Sequence, residues 1–172
     1  MDRYQDTKAG PRARELQPRV LELARKSGKN RDAGADEIQR ALKTAAQAET
    51  EADKLAQGLP VTAGDSVKEQ RQRERVVQKL EAAWHAVMGL MPRADVDLGT
   101  AELLTRTQER VRTALGSQYM ALASAFVQRR AIPTAESYNQ KACGLDPESG
   151  GCRHLQDLIV QARLVGGYGA GF

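Results

Sequence analysis

Aromatic side chains are scarce in this chain: tryptophan, tyrosine and phenylalanine together make up 4% of 172 residues. A core built on stacked rings is excluded. With 41% hydrophobic residues, an interior must come from Leu, Val, Ala and Met, whose modest volumes suit close helix–helix contact. Long apolar runs are also missing, and none approaches the roughly 18 residues that a membrane-spanning helix requires. Met1 to Asp6 carry no hydrophobic stretch of signal-peptide type. Two expectations follow from that: a cytoplasmic protein, or one from which an export signal has been removed.

Apolar–polar alternation with period two is rare, so the strand signature is weak and an all-α fold is expected. There are two histidines and two cysteines. Neither His85 nor His154 stands near a cysteine or serine in a recognisable nucleophile–base motif. No glycine loop between a strand and a helix is available to cradle phosphate. His85 follows Trp84 on a helix and reads as a residue at the edge of the core. The pairs Glu49/Glu51 and Asp95/Asp97 have polar flanks and read as solvated surface. The chain is therefore expected to be non-enzymatic, with no cofactor, metal or small-molecule substrate.

The charge balance is 26 basic to 22 acidic residues, or +4. The excess is spread along the chain, which disfavours nucleic acid as a partner. The densest basic stretch holds Lys68, Arg71, Arg73, Arg75 and Lys79 against Glu69 and Glu74. It has no interleaved aromatic to stack on bases. Being polar all round, the first half of this helix is expected to project into solvent or against a protein partner, with Arg71, Arg75 and Lys79 as candidate contacts.

Periodicity and punctuation divide the chain. Residues 1–12, with Gly10-Pro11, read as an arm. A helical hairpin is expected over 13–64, its first helix from Ala13 to Ser27 and its second from Asp32 or Asp36 to Gln57. Ile38, Leu42, Ala45, Ala52, Ala56 and Leu59 recur at steps of three and four, with Glu49 at the missing step. This seam of small residues is a candidate for self-association or for docking a partner helix. Gly58, Pro60 and Gly64 then break the chain. Asp65 or Ser66 can cap a helix that reaches Met91 before Pro92. Further helices are expected over Leu98–Leu115, Ser117–Arg130, Pro133 to about Cys143, and Gly151–Leu164, with Gly116 separating the first two. Residues 165–172 form a glycine-rich tail whose Tyr168 and Phe172 are further candidate partner contacts.

Within the expected helical region 65–164, the segment Ser117–Glu148 resembles one tetratricopeptide repeat, a family that packs antiparallel helices in pairs. Tyr119, Leu122, Ala123 and Phe126 stand at its first-helix positions, and Ala135, Ala142 and Pro147 at its second-helix and exit positions. Asn139 falls where a large residue is expected, so Tyr138 beside it must substitute. A fainter copy lies 34 residues upstream, pairing Met88 with Leu122, Gly89 with Ala123, Ala101 with Ala135 and Leu104 with Tyr138. Its Pro92 and Thr113 depart from the pattern.

The stretch Lys141-Ala142-Cys143-Gly144-Leu145, followed by Gly150-Gly151-Cys152, is similar to the cysteine-stapled Sel1-like repeat proteins of bacterial envelopes. That resemblance implies a bridge from Cys143 to Cys152, tying the end of one hairpin to the next helix, and helix ends joined by a short turn can come within disulfide range. Two reduced, half-buried cysteines remain the alternative. A zinc site is disfavoured by the spacing and by His154 being the lone histidine nearby. The resemblance implies an adaptor or scaffold with a concave surface for a protein or peptide partner or a second copy of the chain. A bridge would place it in the periplasm or envelope; free thiols would suit a cytoplasmic adaptor or assembly chaperone.

Overall fold

The computed structural model describes residues 31–60 and 66–167. The expected arm, the Ala13–Ser27 helix, Tyr168 and Phe172 lie outside these residues. The described chain is all-α, with five helices and one very short strand pair.

Strand β1 (Arg31–Ala33) leads into helix α1 (Ala35–Ala56), whose first turn carries Asp36 and Glu37 at the positive end of the helix dipole. Ile38, Leu42, Ala45 and Ala52 are buried along one face. Glu49, the missing step of that face, takes a two-pronged ion pair from Arg110 at 2.7 and 2.8 Å. Helix α2 (Val67–Val87) begins at Ser66, whose hydroxyl accepts from the Glu69 N–H. It stops at Val87, short of the expected Met91. Gly89 has φ +74°, a left-handed turn that glycine adopts without steric cost, and the chain then enters strand β2 (Leu90–Pro92). Strands β1 and β2 pair in parallel, with Asp32 opposite Met91. The side-chain amide of Gln108 donates to the carbonyls of Val87 (2.7 Å) and Leu90 (3.1 Å), satisfying the groups that the turn leaves exposed.

Helix α3 (Leu98–Gln128) starts at Asp97, whose carboxylate accepts from the Thr100 N–H at 2.9 Å. It runs for 31 residues without a break, replacing the two helices expected on either side of Gly116. A glycine inside a helix costs about 1 kcal/mol relative to alanine, whereas burying a Leu or Val side chain contributes roughly 1.5–3 kcal/mol. Leu104, Val111, Leu115, Tyr119 and Leu122 lie buried on both sides of Gly116, so the continuous helix prevails. It ends with Arg130 in the left-handed region (φ 58°), its N–H donating to Val127 and that of Ala131 to Phe126, a Schellman turn. Helix α4 (Ile132–Leu145) has Pro133 in its first turn, where a missing N–H does no harm. Helix α5 (Gly150–Gly167) continues three residues beyond the expected Leu164.

The residues of the upstream copy of the repeat pattern fall on α2, the turn after it and the first part of α3. Met88 and Gly89 lie at the turn out of α2, and the helix bearing Ala101 and Leu104 is continuous with the one bearing Tyr119.

Three buried clusters follow one another along α3. The first joins Ile38, Leu42 and Ala45 of α1 to Ala83 and Val87 of α2 and Leu104 and Val111 of α3. The second joins Ala52, Val76, Val77 and Leu80 to Leu115, Tyr119, Leu122 and Ala142. The third joins Ala123 and Ala135 to Leu155 and Ile159 of α5. A Cβ at Gly116 would meet nothing outside its own helix. Gly116→Ala should therefore raise stability by about 0.5–1 kcal/mol, while Gly89→Ala should lower it by about 1–2 kcal/mol. Urea unfolding of both variants checks this; destabilisation by Gly116→Ala would show that the glycine serves packing.

Candidate partner-binding surface

The terminal hairpin places its expected core residues as follows. Tyr119, Leu122, Ala123, Ala135 and Ala142 are buried. Phe126 and Tyr138 are partly buried, and their rings stack at 5.6 Å. Asn139 is fully buried, and its amide donates to Gln156 of α5 at 3.0 Å. A polar residue at this position thus becomes a tie between α4 and α5, with Tyr138 supplying the apolar bulk. Pro147 is exposed, just past the end of α4. Cys143 and Cys152 are at disulfide distance, with Cα atoms 5.5 Å apart. Gly151 lets the start of α5 lie close to Met120, which a Cβ there would strike.

A polar node locks α2 to this hairpin. The Tyr119 hydroxyl donates to Glu81 at 2.5 Å, and Lys141 donates to the same oxygen at 3.1 Å. The Lys141 ammonium also sits over the Tyr119 ring at 5.3 Å and the Tyr138 ring at 5.8 Å. Burial alone would raise the Glu81 carboxyl, but the Tyr119 hydrogen bond and then Lys141 outweigh it and hold it below its ordinary range. Burial, followed by the bond to Glu81, pushes the Tyr119 hydroxyl far up. It stays a donor at any physiological pH and cannot serve as a base.

The first half of α2, polar all round, does not project into solvent on every side as expected. Gln70 and Arg73 are buried. Arg73 donates to Glu69 and to Gln118 of α3, each at 3.2 Å, and to the Pro60 carbonyl. Gln70 accepts from Arg129 at the end of α3. Only the outer face of this stretch remains for a partner. Arg71 and Arg75 are exposed there, and Lys79 is neutralised by Glu51 at 2.6 Å. The small-residue seam of α1 is also spent internally, since Ile38, Leu42, Ala45 and Ala52 are covered by α2 and α3. His85 is exposed rather than at the core edge, and so is His154. Among the described residues no group of three or more His, Cys, Asp or Glu is placed to hold a metal ion, and no helix is long and apolar enough to cross a membrane.

Besides Leu98 and Leu103 at the start of α3, which are 88% and 48% exposed, two outward features stand out among the described residues. One is an open groove of about 550 Å³ between the end of α1 and the start of α2, lined by Lys54, Leu55, Val67, Lys68, Arg71 and Arg75 together with Gln72. Gln72 turns inward there and donates to the Leu55 carbonyl at 2.5 Å. The other is the outer face of α5, where Val160 and Leu164 are 45% and 60% exposed.

No protein-family model, curated protein or solved structure matches the chain.

The groove was only half visible in the sequence. Arg71 and Arg75 stood out by charge, but Lys54 and Leu55 join them only because α1 folds back on α2. A spacing of 68, 71, 75 would have assigned the first of these residues to the same helix face.

Because the folded-state carboxyl of Glu81 is held low, its contribution to stability is complete above the ordinary carboxylate range. It is lost as pH falls through the lowered value. Glu81→Gln should unfold more easily at neutral pH yet show a shallower loss of stability between about pH 5 and pH 3. Thermal melts across that window measure it. Parallel curves for the two proteins would remove Glu81 as an acid-sensitive tie.

Proposed function

We propose that this chain is a non-enzymatic protein-interaction module, an adaptor or scaffold of the bacterial cell envelope. The observation that carries the reading is the end of the terminal hairpin. There Cys143 and Cys152 lie at disulfide distance, and α5 presents Val160 and Leu164 to solvent. A bridge at this point ties α5 to α4, and such bridges persist in oxidising compartments. In tetratricopeptide-like arrays the outer face of one hairpin is covered by the next; here the same face is open to another protein. The buried Tyr119, Leu122, Ala135 and Ala142, with Tyr138 stacked on Phe126, support the likeness to such a unit.

Two measurements test this. Intact mass after acid quenching and alkylation should show no alkylation and two hydrogens fewer than the reduced chain. Reduction, or Cys143→Ser with Cys152→Ser, should lower stability by about 2.5–3 kcal/mol. Two alkylated thiols in protein taken from its native host would overturn the envelope assignment. A photo-crosslinking residue at position 160 or 164 should give a discrete protein adduct in that host, and one at the exposed Thr113 of α3 should not. Absence of an adduct at both α5 positions would overturn this face as the working surface.

A further inference from the structure

We propose that the groove between α1 and α2 binds a short acidic segment of a partner protein, one with an apolar residue between carboxylates. The inference deepens the interaction-module reading and rests on it, but concerns residues of α1 and α2 and not Val160 and Leu164 of α5. Four cations, Lys54, Lys68, Arg71 and Arg75, line the groove, and among the described residues no carboxylate does. Lys68, Arg71 and Arg75 have no carboxylate partner among the described residues, and Lys54 acts on Glu51 through its charge without an ion pair, although the chain is nearly balanced in charge.

The nearby acids are engaged elsewhere. Glu51 is held by Lys79, Glu69 by Arg73, and Asp53 lies on the side of α1 where its charge acts on Arg110. The charge of Glu74 acts on Tyr138 of α4. The carbonyls at the end of α1 would attract a lysine or arginine, but Gln72 already donates to Leu55 and Gln57. Lys68, Arg71 and Arg75 share one face of α2 at steps of three and four, where like charges repel one another. The positive end of the α2 dipole adds to the field. An incoming carboxylate relieves that repulsion.

The floor decides the class of partner. Leu55 and Val67, the latter 44% exposed, offer an apolar patch between the cations. A nucleic acid would need stacking rings, of which the described lining has none, and a longer phosphate track. The track is cut short because Arg73 is buried and Lys79 is paired. A side chain such as leucine, flanked by aspartate or glutamate, fits both the floor and the rim.

Fluorescence anisotropy on the full chain tests this, with a short fluorescein-labelled peptide carrying one leucine flanked on each side by aspartate and glutamate. The peptide should bind, and more weakly as salt rises. Arg71→Glu with Arg75→Glu should weaken it by about tenfold or more. Lys43→Glu with Arg153→Glu makes the same change in net charge at exposed sites on α1 and α5 and should leave binding within about twofold. Melting curves of both variants should match the parent. A glycine in place of the peptide's leucine should bind more weakly. No binding, equal loss in both double variants, or tighter binding of a labelled oligothymidylate would overturn the proposal. None of these outcomes bears on crosslinking from α5, so the two readings can fail separately.

Discussion

One buried stripe along α3 sets the position of every other helix. Leu104 and Val111 meet α1 and the end of α2, Leu115 and Tyr119 meet the middle of α2, and Leu122 and Ala123 meet α4 and α5. These residues stay on one side only if the helix keeps its phase through Gly116. The stripe holds phase because several fully buried side chains, each contributing on the order of 2 kcal/mol, outweigh one glycine. A break at that point would rotate the C-terminal hairpin away from α2 and separate Tyr119 from Glu81.

Polar contacts choose the partners within that frame. Small aliphatic residues pack tolerably in more than one register, so a core of Leu, Val and Ala specifies helix order weakly. Here Glu49–Arg110 ties α1 to α3, Arg73–Gln118 ties α2 to the middle of α3, and Gln70–Arg129 ties α2 to its end. Lys141 and Tyr119 converge on Glu81. Exposed ion pairs contribute little, but Arg73 is buried with three acceptors around its guanidinium. Leaving such a group unpaired is costly. Misaligned packings are penalised by these side chains more than by the apolar ones.

The helical part of this architecture was legible because its signals are local. Ser66 and Pro133 mark starts, the steps from Ile38 to Leu59 mark a face, and Gly58 marks a stop; each acts within one or two turns. What escaped depends on distant chain. Strands β1 and β2 are three residues each, too short to alternate, and form because the α1–α2 hairpin returns Leu90 beside Arg31. Gly89 and Gly116 look alike in sequence, yet one turns the chain and the other is carried through by packing on both sides. Arg73 and Gln70 read as solvated because their partners, the acceptors Gln118 and Pro60 for Arg73 and the Arg129 guanidinium that donates to Gln70, lie elsewhere in the chain. The cysteine pair was read through a resemblance, and the turn between α4 and α5 sets its 5.5 Å Cα separation. Of the candidate surface, charge disclosed Arg71 and Arg75, but the apolar floor needed the fold.

The two outward surfaces differ in how firmly they are held. The cations of the groove stand on α2, and two residues of the same helical stretch, Gln70 and Arg73, are anchored to α3 at separate points. Arg71 and Arg75 are thereby presented from a backbone fixed against rotation, which lowers the entropic cost of gripping a ligand. Among the described residues, helix α5 is covered on one side only. Leu155 and Ile159 pack on Ala123 and Ala135, Asn139 reaches Gln156, and Arg163 pairs with Glu136 at 2.6 Å. Elements with few buried contacts open first, and α5 is such an element. A covalent tie at Cys143–Cys152 acts where the apolar contribution is thinnest, while the groove depends on packing that does not involve the cysteines.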